Sequence, residues 1–146
     1  MLMLALLLLS ACTETEPPLK EGHYSAEMET FDREGWKAFI TLYVTNGKII
    51  TIEYDAKNET GFLKSWDMDY IRWMKSSLGI YPTGYMRAYS IALLNWQDPE
   101  KVHPLRGAEE NCTYFKLLAK AALENSRLGH KEIAVVPYPS PTTSPR

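Results

Sequence analysis

An α+β fold, with a small antiparallel sheet packed against about three helices, follows from three features of this 146-residue sequence. Apolar residues alternate along 36–44 and again along 48–55, and Asn46-Gly47 joins the two runs, which is the pattern of a half-buried hairpin. Downstream the apolar period lengthens to that of amphipathic helices over three segments, two of which stop at a glycine. Hydrophobic residues make up 45% of the chain, with four Trp and nine Tyr, which suffices for the core of one domain.

Met1 to Leu9 is almost continuous apolar sequence, too short to span a bilayer. Leu9-Ser10-Ala11-Cys12 follows and resembles the lipobox of bacterial lipoproteins. There, small residues fit the signal peptidase and the cysteine sulfur takes a diacylglycerol. No Lys or Arg precedes the apolar run, which departs from the usual signal peptide. The resemblance implies cleavage before Cys12, lipidation of Cys12, and a place on the extracytoplasmic side of a bacterial cell membrane. Each buried acyl CH₂ would contribute about 0.8 kcal/mol. Residues 13–21, with Pro17-Pro18, read as a tether, 22–136 as the folded domain, and 137–146, with four prolines, as a disordered tail.

Within the domain, 23–30 is a short strand. Trp36, Ala38, Ile40, Leu42 and Val44 share one face of the next, and Ile50, Ile52 and Tyr54 alternate in the third. A two-residue Asn46-Gly47 loop would set Thr41 opposite Ile52 and split the two apolar sets between faces. A three-residue loop pairs Leu42 with Ile50 and Ile40 with Ile52, placing both sets on one core, and is the expected form. A helix over 67–78 carries Trp66, Tyr70, Trp73 and Met74 near one stripe and stops at Gly79. A second follows Gly84 to about Trp96, with Tyr85, Tyr89, Ala92 and Trp96 on one face. A third runs over 113–128 to Gly129, capped by Asn111 or Thr113, with Lys116, Lys120 and Glu124 on its wet side. Residues 133–136 add an edge strand.

The segment with most chemical content is Val102-His103-Pro104-Leu105-Arg106-Gly107-Ala108-Glu109-Glu110-Asn111, which feeds the last helix. A Gly-Ala turn at a helix entrance offers free backbone N–H groups and the positive end of the helix dipole, a natural place for a phosphate. The run resembles the flavin-attachment loop of FMN-binding-domain proteins, Asp-x-x-Ser-Gly-Ala-Thr-x-Ser, whose threonine is esterified by the FMN phosphate. Gly22-His23-Tyr24, the 35–55 hairpin, Asn58, Lys64-Ser65-Trp66-Asp67 and 97–102 resemble other parts of the same family. In the loop itself only Gly107 and Ala108 match. Glu109 stands for the threonine, Arg106 for the first serine, His103 for the aspartate and Asn111 for the last hydroxyl residue.

The resemblance implies a cofactor site at Arg106, Gly107, Ala108, Glu109, Asn111 and Thr113. Glu109 has no hydroxyl, so covalent attachment there is chemically blocked. Its carboxylate would repel a phosphate by about 4 kcal/mol at roughly 4 Å and an effective dielectric near 20. Arg106 pulls the other way, either gripping a phosphate or pairing with Glu109 or Glu110. Two readings follow from these residues. One is a lipoprotein that holds FMN non-covalently and passes electrons to a redox partner protein. The other is a non-redox interaction module on a flavin-domain scaffold that has lost its cofactor. Either makes the chain a binding or electron-carrier protein rather than an enzyme.

The remaining chemistry is sparse. A formal charge of −2 and no basic run argue against nucleic acid. Three scattered histidines and no Cys-x-x-Cys give no metal motif. With Cys12 capped by lipid, Cys112 is left without a disulfide partner. Its place near a helix start allows either a lowered thiol pKa, with enzymatic use if His23, His103 or His130 lies beside it, or a small semi-buried packing role.

Overall fold

The computed structural model of the chain describes residues 16–139. Cys12, the residues before it and 140–146 lie outside that range. Strands β1 (Gly22–Met28), β2 (Lys37–Thr45) and β3 (Lys48–Lys57) form an antiparallel meander. Helices α1 (Met68–Leu78), α2 (Pro82–Trp96) and α3 (Glu109–Leu128) follow, and β4 (Ala134–Val136) returns to the sheet. The sheet order is β3-β2-β1-β4. The fold is therefore the expected α+β arrangement, with one addition. β4 pairs parallel to β1, because α3 carries the chain back along the sheet before β4 begins.

Alternation decides which face is covered. Tyr24, Ala26 and Met28 of β1, together with Ala38, Ile40, Leu42 and Val44 of β2, are buried. Tyr85, Tyr89 and Leu93 of α2 join the same core, as do Phe115, Leu118, Ala119 and Ala122 of α3. The opposite face of the sheet is polar and self-paired. His23 stacks on Tyr43 at 4.5 Å, Ser25 and Thr41 share a hydrogen bond of 2.8 Å, and Glu27 bridges Lys37 and Lys57.

The hairpin register differs from both sequence alternatives. The loop has two residues, with Asn46 at φ 50° and Gly47 at φ 71°, and Thr45 pairs with Lys48. A bulge between Tyr43 and Val44 then shifts the ladder, so that Leu42 pairs with Ile52 and Ile40 with Tyr54. Ile49 takes the core position beside Val44, and Ile50 becomes the extra residue and is exposed. A tight turn and a common apolar face are thus both achieved, at the expense of one isoleucine.

Helix boundaries moved where capping was misread. Asp67 caps α1 by accepting from Asp69 N–H and Tyr70 N–H, and Gly79 ends it in the left-handed conformation. α2 starts at Pro82, two residues before Gly84. α3 starts at Glu109, four residues earlier than expected, so Asn111 and Thr113 lie inside it and neither is its cap. Of the residues assigned to helix stripes, Tyr85, Tyr89 and Met74 reach the core, whereas Trp66, Trp73 and Trp96 remain exposed.

The described part of the supposed tether is docked. Lys20 N–H donates to the Ser126 carbonyl at 3.2 Å, its ammonium donates to the Leu128 carbonyl at 2.9 Å, and Arg127 pairs with Glu16. At the other terminus Tyr138 packs against Tyr114 and donates to the Trp36 carbonyl at 3.4 Å, so the ordered chain extends past 136.

Candidate functional site

The Gly107-Ala108 turn is built by three elements. A short 3-10 turn, Pro99–Lys101, is capped by Asp98 and delivers Val102 into the core. Ala108 N–H then donates to the Leu105 carbonyl at 2.9 Å, closing a turn that Gly107 completes at φ 85°. Glycine suits this left-handed φ, and any side chain there would be strained. A Cβ would lie 3.1 Å from Ile80 Cγ2 and 3.2 Å from Leu78 Cβ, in the connection between α1 and α2. Tyr89 locks the turn from below. Its hydroxyl donates to the Ala108 carbonyl at 2.8 Å and accepts from Leu105 N–H at 3.2 Å. Burial pushes that hydroxyl up to about 12, so it stays protonated and able to donate.

The anion position of this turn is taken from within. Gly107 N–H donates to Glu109 Oε2 at 3.0 Å, and Glu109 and Glu110 place two carboxylates in the first turn of α3. A helix entrance favours negative charge, and here the chain supplies it. Phosphoester attachment does not fit this geometry: the side chain at the acceptor position is an anion already bound to the loop. Arg106 is exposed, and among the described residues it makes no ion pair, so of the two alternatives the pairing with Glu109 or Glu110 does not form. No side chain caps α3 at Ala108.

The other sequence-predicted site residues are scattered by role. Asn111 is half-buried, and its backbone carbonyl accepts from the Tyr54 hydroxyl at 3.1 Å. Thr113 is exposed and bonds back to the Glu109 carbonyl at 3.4 Å, as an interior helical threonine does. Cys112 is 2% exposed, its sulfur 3.8 Å from the Val102 carbonyl, and burial pushes its thiol up. That rules against an activated thiolate, and the packing role holds. No group of three His, Cys, Asp or Glu side chains among the described residues is placed to hold a metal ion.

A second feature escaped the sequence reading. Glu34, Trp36, Asp67, Tyr70 and Trp73 line an open recess of about 390 Å³ where the start of β2 meets α1. Beneath it Lys64 is nearly buried, its ammonium 4.5 Å from the Tyr70 ring centroid, 5.7 Å from that of Trp36 and 3.6 Å from Glu34. Desolvation lowers the Lys64 pKa against the pull of Asp32 and Glu34. Lys64 and Asp67 stood out in the sequence as a motif, and Tyr70 and Trp73 as a helix stripe. Nothing local joins them to Trp36, which the fold brings from 28 or more residues away. A larger groove of about 780 Å³ lies near Glu100, Lys120 and Arg127, and its charges are internally paired: Glu100 with Lys116 and Lys120, Arg127 with Glu16 and Glu124.

No protein-family model matches the chain. No helix among the described residues is long and apolar enough to cross a membrane. The CPE2226 protein from Clostridium perfringens has a similar crystal structure, with a TM-score of 0.78 at 33% identity, covering 82% of this chain and 98% of that one. A solution structure of a Clostridium thermocellum protein reaches a TM-score of 0.50 at 26% identity, over 73% of this chain and 92% of that one. The 15 kDa lipoprotein of Treponema pallidum (strain Nichols) is 37% identical over 128 residues, which is 88% of this chain and 89% of that protein. On that extent of shared sequence, the chain belongs to the family of the 15 kDa lipoprotein.

Proposed function

We propose that this protein is an envelope lipoprotein, held on the extracytoplasmic side of the membrane through lipidated Cys12. Its domain acts as a non-redox interaction module whose flavin-type loop has been closed from within. The relative's designation as a lipoprotein and the Leu9-Ser10-Ala11-Cys12 sequence support the anchor. The hydrogen bond from Gly107 N–H to the Glu109 carboxylate carries the rest. A flavin phosphate would have to displace that carboxylate and then tolerate both it and Glu110 nearby. The reading predicts colourless protein that stays colourless after incubation with excess FMN. It also predicts that Cys12→Ser releases the protein from the membrane fraction and removes the acyl mass.

A second reading, non-covalent FMN binding with electron transfer to a redox partner, draws on one observation. Arg106 presents an exposed guanidinium with no ion pair among the described residues, beside a helix entrance without a side-chain cap. It predicts yellow protein whose colour passes to the supernatant on acid precipitation and is lost in Arg106→Ala. The visible spectrum before and after precipitation separates the two. Flavin mass on any residue between Leu105 and Thr113 would overturn both.

A further inference from the structure

We propose that the recess bounded by Glu34, Trp36, Asp67, Tyr70 and Trp73 binds a small organic ammonium cation of the choline type. Two kinds of group converge there. Trp36 and Tyr70 meet edge to face at 6.0 Å, and Tyr70 and Trp73 at 5.5 Å, so three aromatic rings form a continuous wall. Glu34 and Asp67 supply carboxylates at the rim. Glu34 accepts from the Tyr70 hydroxyl at 2.7 Å through Oε2, the same oxygen that faces Lys64, and its side chain is 48% exposed. Asp67 uses Oδ1 for the α1 cap. Each carboxylate therefore keeps one oxygen with no hydrogen-bond partner among the described residues. Aromatic faces with carboxylates at their edge are the chemistry that recognises alkylammonium groups.

The molecule already carries a worked instance of that recognition. The Lys64 ammonium lies 4.5 Å from the Tyr70 ring centroid and 5.7 Å from that of Trp36, almost out of solvent, balanced by Glu34. Trp36 is buried, so the half-exposed Trp73 ring carries the solvent-facing part of the recess, and no cation among the described residues lies over it. A cation held there would face Glu34 and Asp67, while the single buried Lys64 offsets only part of their charge and that of Asp32.

Topology selects a free cation over a lipid headgroup. Gly22 pairs with Val44 near the hairpin tip, and Lys20 is bound to the end of α3, so the chain enters at that end of the sheet. Trp36 precedes the opposite end of β2, whose nine residues span about 26 Å. Only Thr13, Glu14 and Thr15 separate Cys12 from the docked Glu16, a reach of about 14 Å. The recess thus lies on the side away from the bilayer. This choice of source rests on the lipid anchor proposed above, whereas the cation site does not.

Titration of the purified full-length protein with choline chloride, read by tryptophan fluorescence and by calorimetry, tests the proposal. Saturable binding is expected. Trp73→Ala should weaken it about tenfold and Glu34→Gln several-fold, while Trp66→Ala, outside the recess, leaves it unchanged. Sodium chloride at equal ionic strength should give no saturable signal. Should Trp73→Ala fail to fold, Trp73→Leu and Glu34→Gln carry the comparison. Absence of saturation by tens of millimolar choline, or equal affinity in Trp73→Ala and the parent, would overturn the site. Competition by phosphatidylcholine vesicles as effective as by free choline would overturn the assignment to a free cation. A flavin-free protein that binds choline leaves this inference standing, and a yellow protein that does not bind it removes the inference alone.

Discussion

The Gly107-Ala108 turn and the Trp36-Tyr70-Trp73 recess solve the same problem in opposite ways. Each gathers groups that prefer an ion. At the turn, the backbone N–H of Gly107 is already bound to Glu109, and Tyr89 fixes the loop with two hydrogen bonds. At the recess, the Lys64 ammonium lies against Tyr70 and Trp36, and the half-exposed Trp73 ring has no cation over it among the described residues. The lesson is that resemblance to a ligand loop and readiness for a ligand are separable. The turn resembles a ligand loop in sequence but binds its own carboxylate, whereas the proposed cation recess has no motif yet leaves the Trp73 ring without a cation among the described residues.

The largest test of the turn as a rigid, self-satisfied structure is Gly107→Val. Its φ of 85° strains any side chain, a β-branched one most, and a Cβ would press on Ile80, Leu78 and the Leu78 carbonyl at 3.1–3.3 Å. Backbone strain and overpacking together should cost about 2–5 kcal/mol in urea unfolding. A loss below about 1 kcal/mol would mean that the loop moves easily and could open for a ligand.

Next in size is Tyr89→Phe. It removes one of the two donors to the Ala108 carbonyl, which keeps Cys112 N–H at 3.0 Å, and leaves the part-buried Leu105 N–H without its acceptor, at about 0.5–1.5 kcal/mol. The same residue has an alkaline signature. Its folded pKa of about 12 lies above the unfolded value near 10, so its stabilising contribution is complete below pH 10 and lost as pH rises through 12. Chemical denaturation between pH 9 and 12 should therefore show a shallower decline in Tyr89→Phe than in the parent.

At the recess the corresponding change is Lys64→Met. Removing a nearly buried charge would ordinarily be severe, but Glu34 is half-exposed and keeps the Tyr70 hydroxyl, so water can take over its solvation. The desolvation that lowers the Lys64 pKa is relieved at the same time. The expected change in unfolding free energy is within about 1 kcal/mol. A loss of 3 kcal/mol or more would show that Lys64 holds the aromatic wall together, and the recess would then be a by-product of its ion pairs.

How much of this was legible in the sequence differs between the two regions for a physical reason. The turn is local. Gly107 and Ala108 announce it, and Glu109 announces its altered chemistry, because all the groups lie within a few residues. Even so, the start of α3 was misplaced: Ala108 caps without a side-chain bond, so no polar cap residue marks the boundary. The hairpin was legible as a hairpin, but the bulge at Ile50 was not, since a register shift leaves no composition signal. The recess depends on Trp36, Lys64 and Tyr70 meeting through the fold. Alternation placed Trp36 on the core face, and helical spacing placed Tyr70 and Trp73 together, but neither says that the two faces touch. The docking of 16–21 was hidden for the same reason, as Pro17-Pro18 reads as a linker wherever its neighbours are unknown.

The smallest effect is also the most discriminating, and it concerns Glu109→Gln. A glutamine oxygen can still accept from Gly107 N–H, so the hydrogen bond survives and only the charge at the helix entrance is lost. That should lower stability by about 0.3–1 kcal/mol, with the deficit shrinking in high salt. If Glu109 is the anion that closes a former phosphate site, the neutral variant should also bind inorganic phosphate or FMN more readily than the parent, with Arg106 now unopposed at the loop. A variant that loses the expected stability but gains no affinity for either would show that charge was not what closed the site. The difference between turn and recess would then lie in the packing of Leu78 and Ile80 over Gly107 rather than in electrostatics.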